Sequence, residues 1–330
     1  METIGVIGAG AWGTALAQSL ATGGREVRLW AREPDVADAI SQKRENTVFL
    51  PGIQLHENIE GTDSLTRASD RDVILLCVPA QHLRATLLSM KREIKEHHTL
   101  VICSKGIEIE SGLLLSDVTT EILPDMPLAV LTGPTFASEI GRGLPSAVTV
   151  ACTDKDIGAD LVELLSSKAL RAYQTDDIKG AQIGGAVKNV IAIAAGVIIG
   201  RGLGESARAA LVTRGLAEMG RLAAAMGAKK ETLMGMCGMG DMLLTCTSMQ
   251  SRNYSLGIAL GEGKTLEEIL SSRKSVTEGV TTAQALTVMA RHHAVDMPIS
   301  EAVNRCLNEG AGIDETIERM LARPLRPESL

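Results

Sequence analysis

The sequence predicts an α/β chain, with a doubly wound sheet over residues 1–183 followed by an all-helical domain over 184–330. Three observations carry that reading. Short β-branched runs alternate with amphipathic stretches through the first half, the pattern of parallel βαβ units. A glycine cluster, GAGAWG at 8–13, follows the first such run directly. Beyond about Asp177 strand-like runs vanish, and Ala, Leu, Met and Glu recur at helical spacing.

In chain order, Thr3–Gly8 reads as the first strand, Trp12–Thr22 as a helix and Glu26–Trp30 as the second strand. Further strands are expected at Asp72–Val78, Thr99–Cys103, Leu128–Leu131, Ala147–Ala151 and Arg171–Thr175, with helices such as Gln81–Ile94 and Gly112–Leu123 between them. Alternation of this kind buries a parallel sheet under helices on both faces. Gly180–Gly185 reads as the junction between the domains. A cleft between two closely joined domains is a favoured place for a ligand.

Composition narrows the function. The net charge of −7 is spread without a block of like sign, so neither a nucleic-acid backbone nor an anionic bilayer is an expected partner. Six cysteines at wide, irregular intervals show no metal-ligand spacing, and no bound metal is expected. The histidines, His56, His82, His97, His98, His292 and His293, lie in polar surroundings and read as surface imidazoles. The start METIGVIGAG runs straight into a strand pattern with no basic leader, which points to the cytoplasm. The longest uncharged apolar run, Val190–Gly200, falls short of the roughly 18 residues a spanning helix needs and reads as a core helix.

The glycine cluster has a defined use. Placed between a strand and a helix, Gly8 permits a tight turn, Gly10 admits a pyrophosphate to the backbone, and Gly13 lets helix pack on strand, with Ala17 facing the sheet. The free N–H groups of the helix start attract the phosphates. This is a Rossmann-like dinucleotide fingerprint. At the end of the second strand, Arg32 suits the 2′-phosphate of NADP, whereas the neighbouring Glu33 would repel it if turned inward. NADP(H) and NAD(H) both stay open.

In the second half, the stretch GGAVKNVIAIAAGVIIG carries a single charge, Lys188. The bland reading is a lysine whose stem packs on apolar surface while its head reaches water. Polar islands elsewhere give a different reading: ENTVFLPG (45–52), CSKGIE (103–108), TGPTFASE (132–139), GMGDMLLTCT (238–247) and QSRN (250–253). Ketone reduction needs a cationic acid at the developing alkoxide. Lys188 reads as lying at an apolar helix start, which pulls a lysine pKa down, while a carboxylate such as Asp241 pushes it up, so the net direction is open. Glycines 238 and 240 are expected to turn Asp241 inward, the methionines of MGMCGMGDM to fill core, and Arg201, Arg208 and Arg214 to line a phosphate or a subunit contact, or else a solvated or ion-paired face.

The ordered blocks GPTFA, GGAVKN, GDMLLTCT and SRN resemble, essentially end to end, the soluble bacterial NAD(P)-dependent glycerol-3-phosphate dehydrogenases. That resemblance implies interconversion of dihydroxyacetone phosphate and sn-glycerol 3-phosphate. Lys188 then matches the catalytic lysine and proton donor or acceptor, Asn189 a substrate contact, and Lys105 a catalytic residue where cofactor and substrate meet. Gly133, Thr135 and Ala137 fall on substrate or cofactor positions, and Asp241 and Thr245 on the pocket wall, with Asp241 catalytic. Ser251, Arg252 and Asn253 match the holders of the substrate phosphate. Ala11, Trp12, Arg32, Phe49, Val276 and Glu278 match cofactor contacts, as Arg252 also does. Glu33 and the tail RPLRPESL depart from the pattern. The resemblance further implies a homodimer and a role in glycerophospholipid synthesis. Two other readings compete: a related dehydrogenase of a 3-hydroxy acid, in which SRN would be idle, and a dinucleotide-sensing module without turnover.

Overall fold

The structure, a computed structural model, describes residues 3–272 and 277–324. Its strands are β1 (Ile4–Ile7), β2 (Val27–Trp30), β3 (Ile59–Thr62), β4 (Val73–Leu76), β5 (Thr99–Ile102), β6 (Leu128–Thr132), β7 (Ser146–Cys152) and β8 (Leu170–Thr175). They form one sheet in the order β3-β2-β1-β4-β5-β6-β7-β8. The chain builds outward from β1 to β3 on one side and then resumes at β4 on the other. The turn after β1 therefore lies at the point where strand order reverses, the place where open sheets of this kind bind ligands.

The chain divides into two compact units, one of residues 1–104 and 115–178, the other of 105–114 and 179–330. The sheet and its helices make the first. Its core joins inward residues of the strands, among them Val6, Leu29, Leu75, Val101 and Leu131, to Ala17 and Leu20 of the helix Ala11–Thr22. The second unit is helical and is organised around Ile178–Gly200, whose residues 180–196 are continuously buried. Tyr254, Leu256, Ala283, Leu286 and Leu222, from three neighbouring helices, belong to the same core. By length and composition Ile178–Gly200 could cross a bilayer, but 78% of its apolar window is buried inside the chain, which is the environment of a core helix.

The sequence expectations hold for the alternation in the first half and for helices beyond Asp177, where the described residues contain no strand. Several differ. The strand IEGT at 59–62 escapes notice because its four residues carry little apolar pattern. The sheet is not wholly parallel, since β7 runs antiparallel to β6 with Thr132 opposite Thr149. The short connection 133–145 returns at the same end of the sheet, which suits an antiparallel neighbour, whereas a parallel one needs a crossover. Gly180–Gly185, read as the junction, is helical; the helix runs through 183/184, and the division between the units falls at 178/179. His98 is buried, not on the surface, with its Nδ1 accepting from the Lys95 N–H at 2.8 Å.

Candidate active site

Lys188 lies in the third turn of Ile178–Gly200, not at a helix start. Glycines hid this, because glycine disfavours a helix interior. Gly184 is helical for another reason: a Cβ there would collide with the carbonyl of Cys237, so the absence of a side chain lets the helix touch the backbone before Asp241. That backbone is the π-helical turn Met236–Gly240, which leads into the helix Asp241–Thr247. Gly238 serves close approach to Leu233 and not a special torsion, and Gly240 has ordinary helical angles. Of the nearby methionines only Met242 is core; Met234 and Met239 are exposed.

The turn and the helix put Asp241 against Lys188. The Lys188 side chain does not reach for water: its Nζ donates to Asp241 Oδ1 at 2.9 Å and to Thr245 Oγ1 at 2.8 Å. The Thr245 hydroxyl in turn donates to Asp241 Oδ1 at 3.2 Å. Lys105 donates to the other carboxylate oxygen, Oδ2, at 2.7 Å. Asp241 is fully buried and so holds two ammoniums, an arrangement that satisfies a charge otherwise expensive to bury.

The electrostatics follow from this geometry. Burial pulls the Lys188 pKa down to about 8, with Asp241 opposing the fall and Lys105 adding to it. Burial pushes the Asp241 carboxyl upward, but Lys105 and then Lys188 outweigh it, and its pKa ends below the ordinary value. Next to Thr245, burial pushes the Cys246 thiol up to about 12, so it stays protonated. The site thus contains an ammonium poised to lose its proton near neutrality and a carboxylate that remains charged.

Beside Lys188, Asn189 accepts from Asn253 Nδ2 at 2.9 Å through its side-chain oxygen. Asn253 Oδ1 in turn accepts from the Gly279 N–H at 3.0 Å. Asn253 therefore pins the lysine helix to the start of the helix Glu278–His292. Ser251 caps the helix Arg252–Gly261, its hydroxyl accepting from Tyr254 N at 3.2 Å. Arg252, at the first position of that helix, is exposed and has Glu278 as an electrostatic partner. Of the three SRN residues, Arg252 presents charge outward while Ser251 and Asn253 are buried in bonds that fix its position.

The first unit holds the other expected residues. Gly8 has φ +118°, which a side chain resists, and a Cβ at Gly13 would collide with the Gly8 carbonyl. At Gly10 a Cβ would meet nothing within 4 Å, so space lies open over the backbone at the start of Ala11–Thr22. That helix start has no side-chain cap. Open space and uncapped N–H groups fit a pyrophosphate. Ala11, Trp12, Phe49 and Ala137 all pack against this unit's core. Gly133 and Thr135 lie in the turn after β6, where the Thr135 hydroxyl donates to the Gly133 carbonyl at 3.4 Å. Arg32 is tied to Glu33, through Nε at 3.0 Å and Nη2 at 2.7 Å. Val276 lies outside the described residues.

Sequence reasoning missed Asn46. Its side chain is buried and donates to the Ala9 carbonyl and to Thr14 Oγ1, both at 2.8 Å, while its oxygen accepts from Phe49 N at 3.1 Å. It locks the glycine turn to the Phe49 segment. The block ENTVFLPG drew attention to Phe49, but no local pattern marks an Asn as buried. Two of the three arginines in the row have partners in the protein: Arg201 pairs with Asp314, and Arg208 bonds the Tyr254 hydroxyl at 3.0 Å and pairs with Glu205, whereas Arg214 is exposed.

A dinucleotide turn at a sheet switch point in one unit, and a buried lysine–carboxylate network in the other, define a dinucleotide-dependent oxidoreductase. Comparison with known proteins narrows the class. The model for the N-terminal domain of NAD-dependent glycerol-3-phosphate dehydrogenase matches residues 3–158, and that for the C-terminal domain matches 177–318. The chain is 50% identical over 326 residues to glycerol-3-phosphate dehydrogenase [NAD(P)+] of Parvibaculum lavamentivorans, covering 99% of this chain and 98% of the relative. It is 51% identical to that of Maricaulis maris, with the same coverage. The crystal structure of glycerol-3-phosphate dehydrogenase from Coxiella burnetii superposes with a TM-score of 0.94 at 37% identity, covering 98% of this chain and 99% of that one. The chain belongs to the NAD-dependent glycerol-3-phosphate dehydrogenase family.

Proposed function

We propose that this chain is an NAD(P)-dependent sn-glycerol-3-phosphate dehydrogenase that interconverts dihydroxyacetone phosphate and sn-glycerol 3-phosphate. The observation that carries the reading is the buried Lys188 ammonium, bonded to Asp241 and Thr245 in a chain of this family. When held by the glycine turn, NAD(P)(H) would supply the hydride for C2 of the ketone or accept it from the alcohol. Lys188 gives its proton to the C2 oxygen as the carbonyl becomes an alcohol, and the neutral amine recovers that proton in the reverse direction. Asp241 keeps Lys188 oriented and offsets its charge, while Lys105 holds the second carboxylate oxygen and adds positive potential. Thr245 fixes the direction in which Nζ points.

Arg252 offers a planar fork to the substrate phosphate, and Asn253 and Ser251 hold it and Asn189 in register. Binding energy from that remote group orients the reacting carbon. Residues 1–183 supply the dinucleotide-binding part and residues 184–330, with Lys105, the catalytic part. The glycine turn at 8–13 and the Arg32 region hold the dinucleotide. Gly133, Thr135, Ala137, Phe49, Val276 and Glu278 complete the ligand contacts in this reading. A homodimer, the cytoplasm and glycerophospholipid supply follow from the family resemblance, and the unpaired state of all six cysteines supports a reducing compartment.

The test is an absorbance assay of NADPH and NADH in parallel with dihydroxyacetone phosphate and with a panel of 3-keto acids. Consumption with the phosphorylated ketone alone is expected. Consumption with the acids alone, or none with any ketone, overturns the assignment.

A further inference from the structure

Away from the lysine network, Arg305 of the helix Pro298–Asn308, Arg319 of Ile313–Leu321 and Arg323 just beyond come to one space, on a stretch, 298–324, that also carries five carboxylates. Between them is a cavity of about 220 Å³ lined by Pro298, Glu301, Arg305, Arg319, Met320 and Arg323, with Ala302 and Thr316 completing the wall. Three guanidiniums face one carboxylate in a chain whose net charge is −7. The lining positions repeat at helical spacing on both helices, so one face of each is turned to the cavity.

The charges are unequally compensated. Arg323 Nη2 pairs with Asp296 at 2.9 Å, and Arg319 Nη2 reaches Glu315 only at 3.6 Å. Arg305, half-buried in the wall, forms no ion pair with any described residue. An anion held in the cavity would give Arg305 the counter-charge it lacks and add to the long pairing of Arg319. Guanidinium forks favour phosphate or carboxylate oxygens. Among the described residues no aromatic side chain lines the cavity, so they offer no platform for a nucleobase. Its volume is several times the roughly 30 Å³ share of a water molecule yet below that of pockets for larger ligands.

We propose that this cavity binds a phosphate dianion, either inorganic phosphate or the phosphate of a small monoester whose carbon tail lies on Pro298, Ala302 and Met320.

Equilibrium dialysis with radiolabelled inorganic phosphate tests it in the full-length chain. An Arg252→Ala background removes the substrate-phosphate arginine from the count. That variant is expected to bind phosphate saturably, and adding Arg305→Gln with Arg319→Gln should lower occupancy by one phosphate per chain or weaken it at least tenfold. Arg305→Gln and Arg319→Gln on their own should leave turnover of dihydroxyacetone phosphate within twofold, which also shows that the chain is folded. Unlabelled glycerol 2-phosphate separates the sources: displacement at lower concentration than inorganic phosphate identifies a monoester site, and weaker displacement a site for the free anion. Identical phosphate binding with and without the two arginines, or no saturable binding in the Arg252→Ala chain, overturns the proposal.

Discussion

Lys188 Nζ lies 2.9 Å from Asp241 Oδ1, both groups buried, and the ammonium has a pKa near 8 while its carboxylate partner stays ionised. Ketone reduction uses the protonated lysine and alcohol oxidation the neutral one. The reductive rate should therefore fall as pH rises through about 8, and the oxidative rate should rise through the same value. Lys188→Ala should lower both by roughly 10²–10⁴-fold while leaving dinucleotide affinity unchanged. Steady-state pH profiles beside fluorescence titration of NADPH check this; a Lys188→Ala chain with near-normal turnover removes the lysine from the chemistry.

Asp241→Asn keeps the shape but leaves Lys105 and Lys188 without the charge between them. The Coulombic pull that raises the Lys188 pKa disappears while burial and Lys105 still lower it. The pH midpoint should move below that of the parent, and turnover at neutral pH should drop in reduction more than in oxidation. A midpoint that stays in place would show that the carboxylate does not tune the lysine.

Much of this was legible in the sequence because strong local patterns carry it. The glycine turn, the β-branched runs and the apolar stretch around Lys188 each act over a few residues. Asn46, His98 and the strand 59–62 were not legible, since their burial depends on partners far along the chain. The same holds for Lys188 itself: its residue type marked it, but its place in the third turn of a helix follows from Gly184 packing on Cys237, a contact between segments 53 residues apart.

Arg32 and Glu33 form an exposed pair at 2.7 Å, so the residue suited to a 2′-phosphate is engaged by its own neighbour. Arg32→Ala should weaken NADPH more than NADH. Glu33→Gln should do the reverse and tighten NADPH selectively, because the guanidinium is released and a negative charge is gone. Paired KM measurements for the two cofactors decide it, and equal changes for both would detach Arg32 from the 2′-phosphate.

Glu218 is a buried carboxyl in a helix of the second unit, accepting from Ile299 N at 2.6 Å, Ser300 N at 3.2 Å and Ser300 Oγ at 3.0 Å. Burial pushes its pKa up to about 7 despite those bonds, which favour the ionised form. With the folded value above the unfolded one, the stability from this group is complete below about 4.5 and is lost as pH rises through about 7. The loss amounts to roughly 3 kcal/mol at about 1.4 kcal/mol per unit. Glu218→Gln cannot ionise, so its stability relative to the parent should improve between pH 5 and pH 8 in urea unfolding. Parallel pH curves for the two chains would exclude a titrating Glu218.

Gly10 and Gly13 make opposite demands, and substitution separates a fold requirement from a ligand requirement. A Cβ at Gly13 would strike the Gly8 carbonyl, so Gly13→Ala must shift the helix Ala11–Thr22 and should destabilise the chain by about 1–3 kcal/mol. At Gly10 the added Cβ enters open space and the torsions suit any residue, so Gly10→Ala should unfold at the parent's urea midpoint. The same methyl would stand where the pyrophosphate approaches the backbone, and dinucleotide affinity should fall at least tenfold. A Gly10→Ala chain with full stability and unchanged NADPH affinity would show that the open space over this turn is not where the phosphates lie.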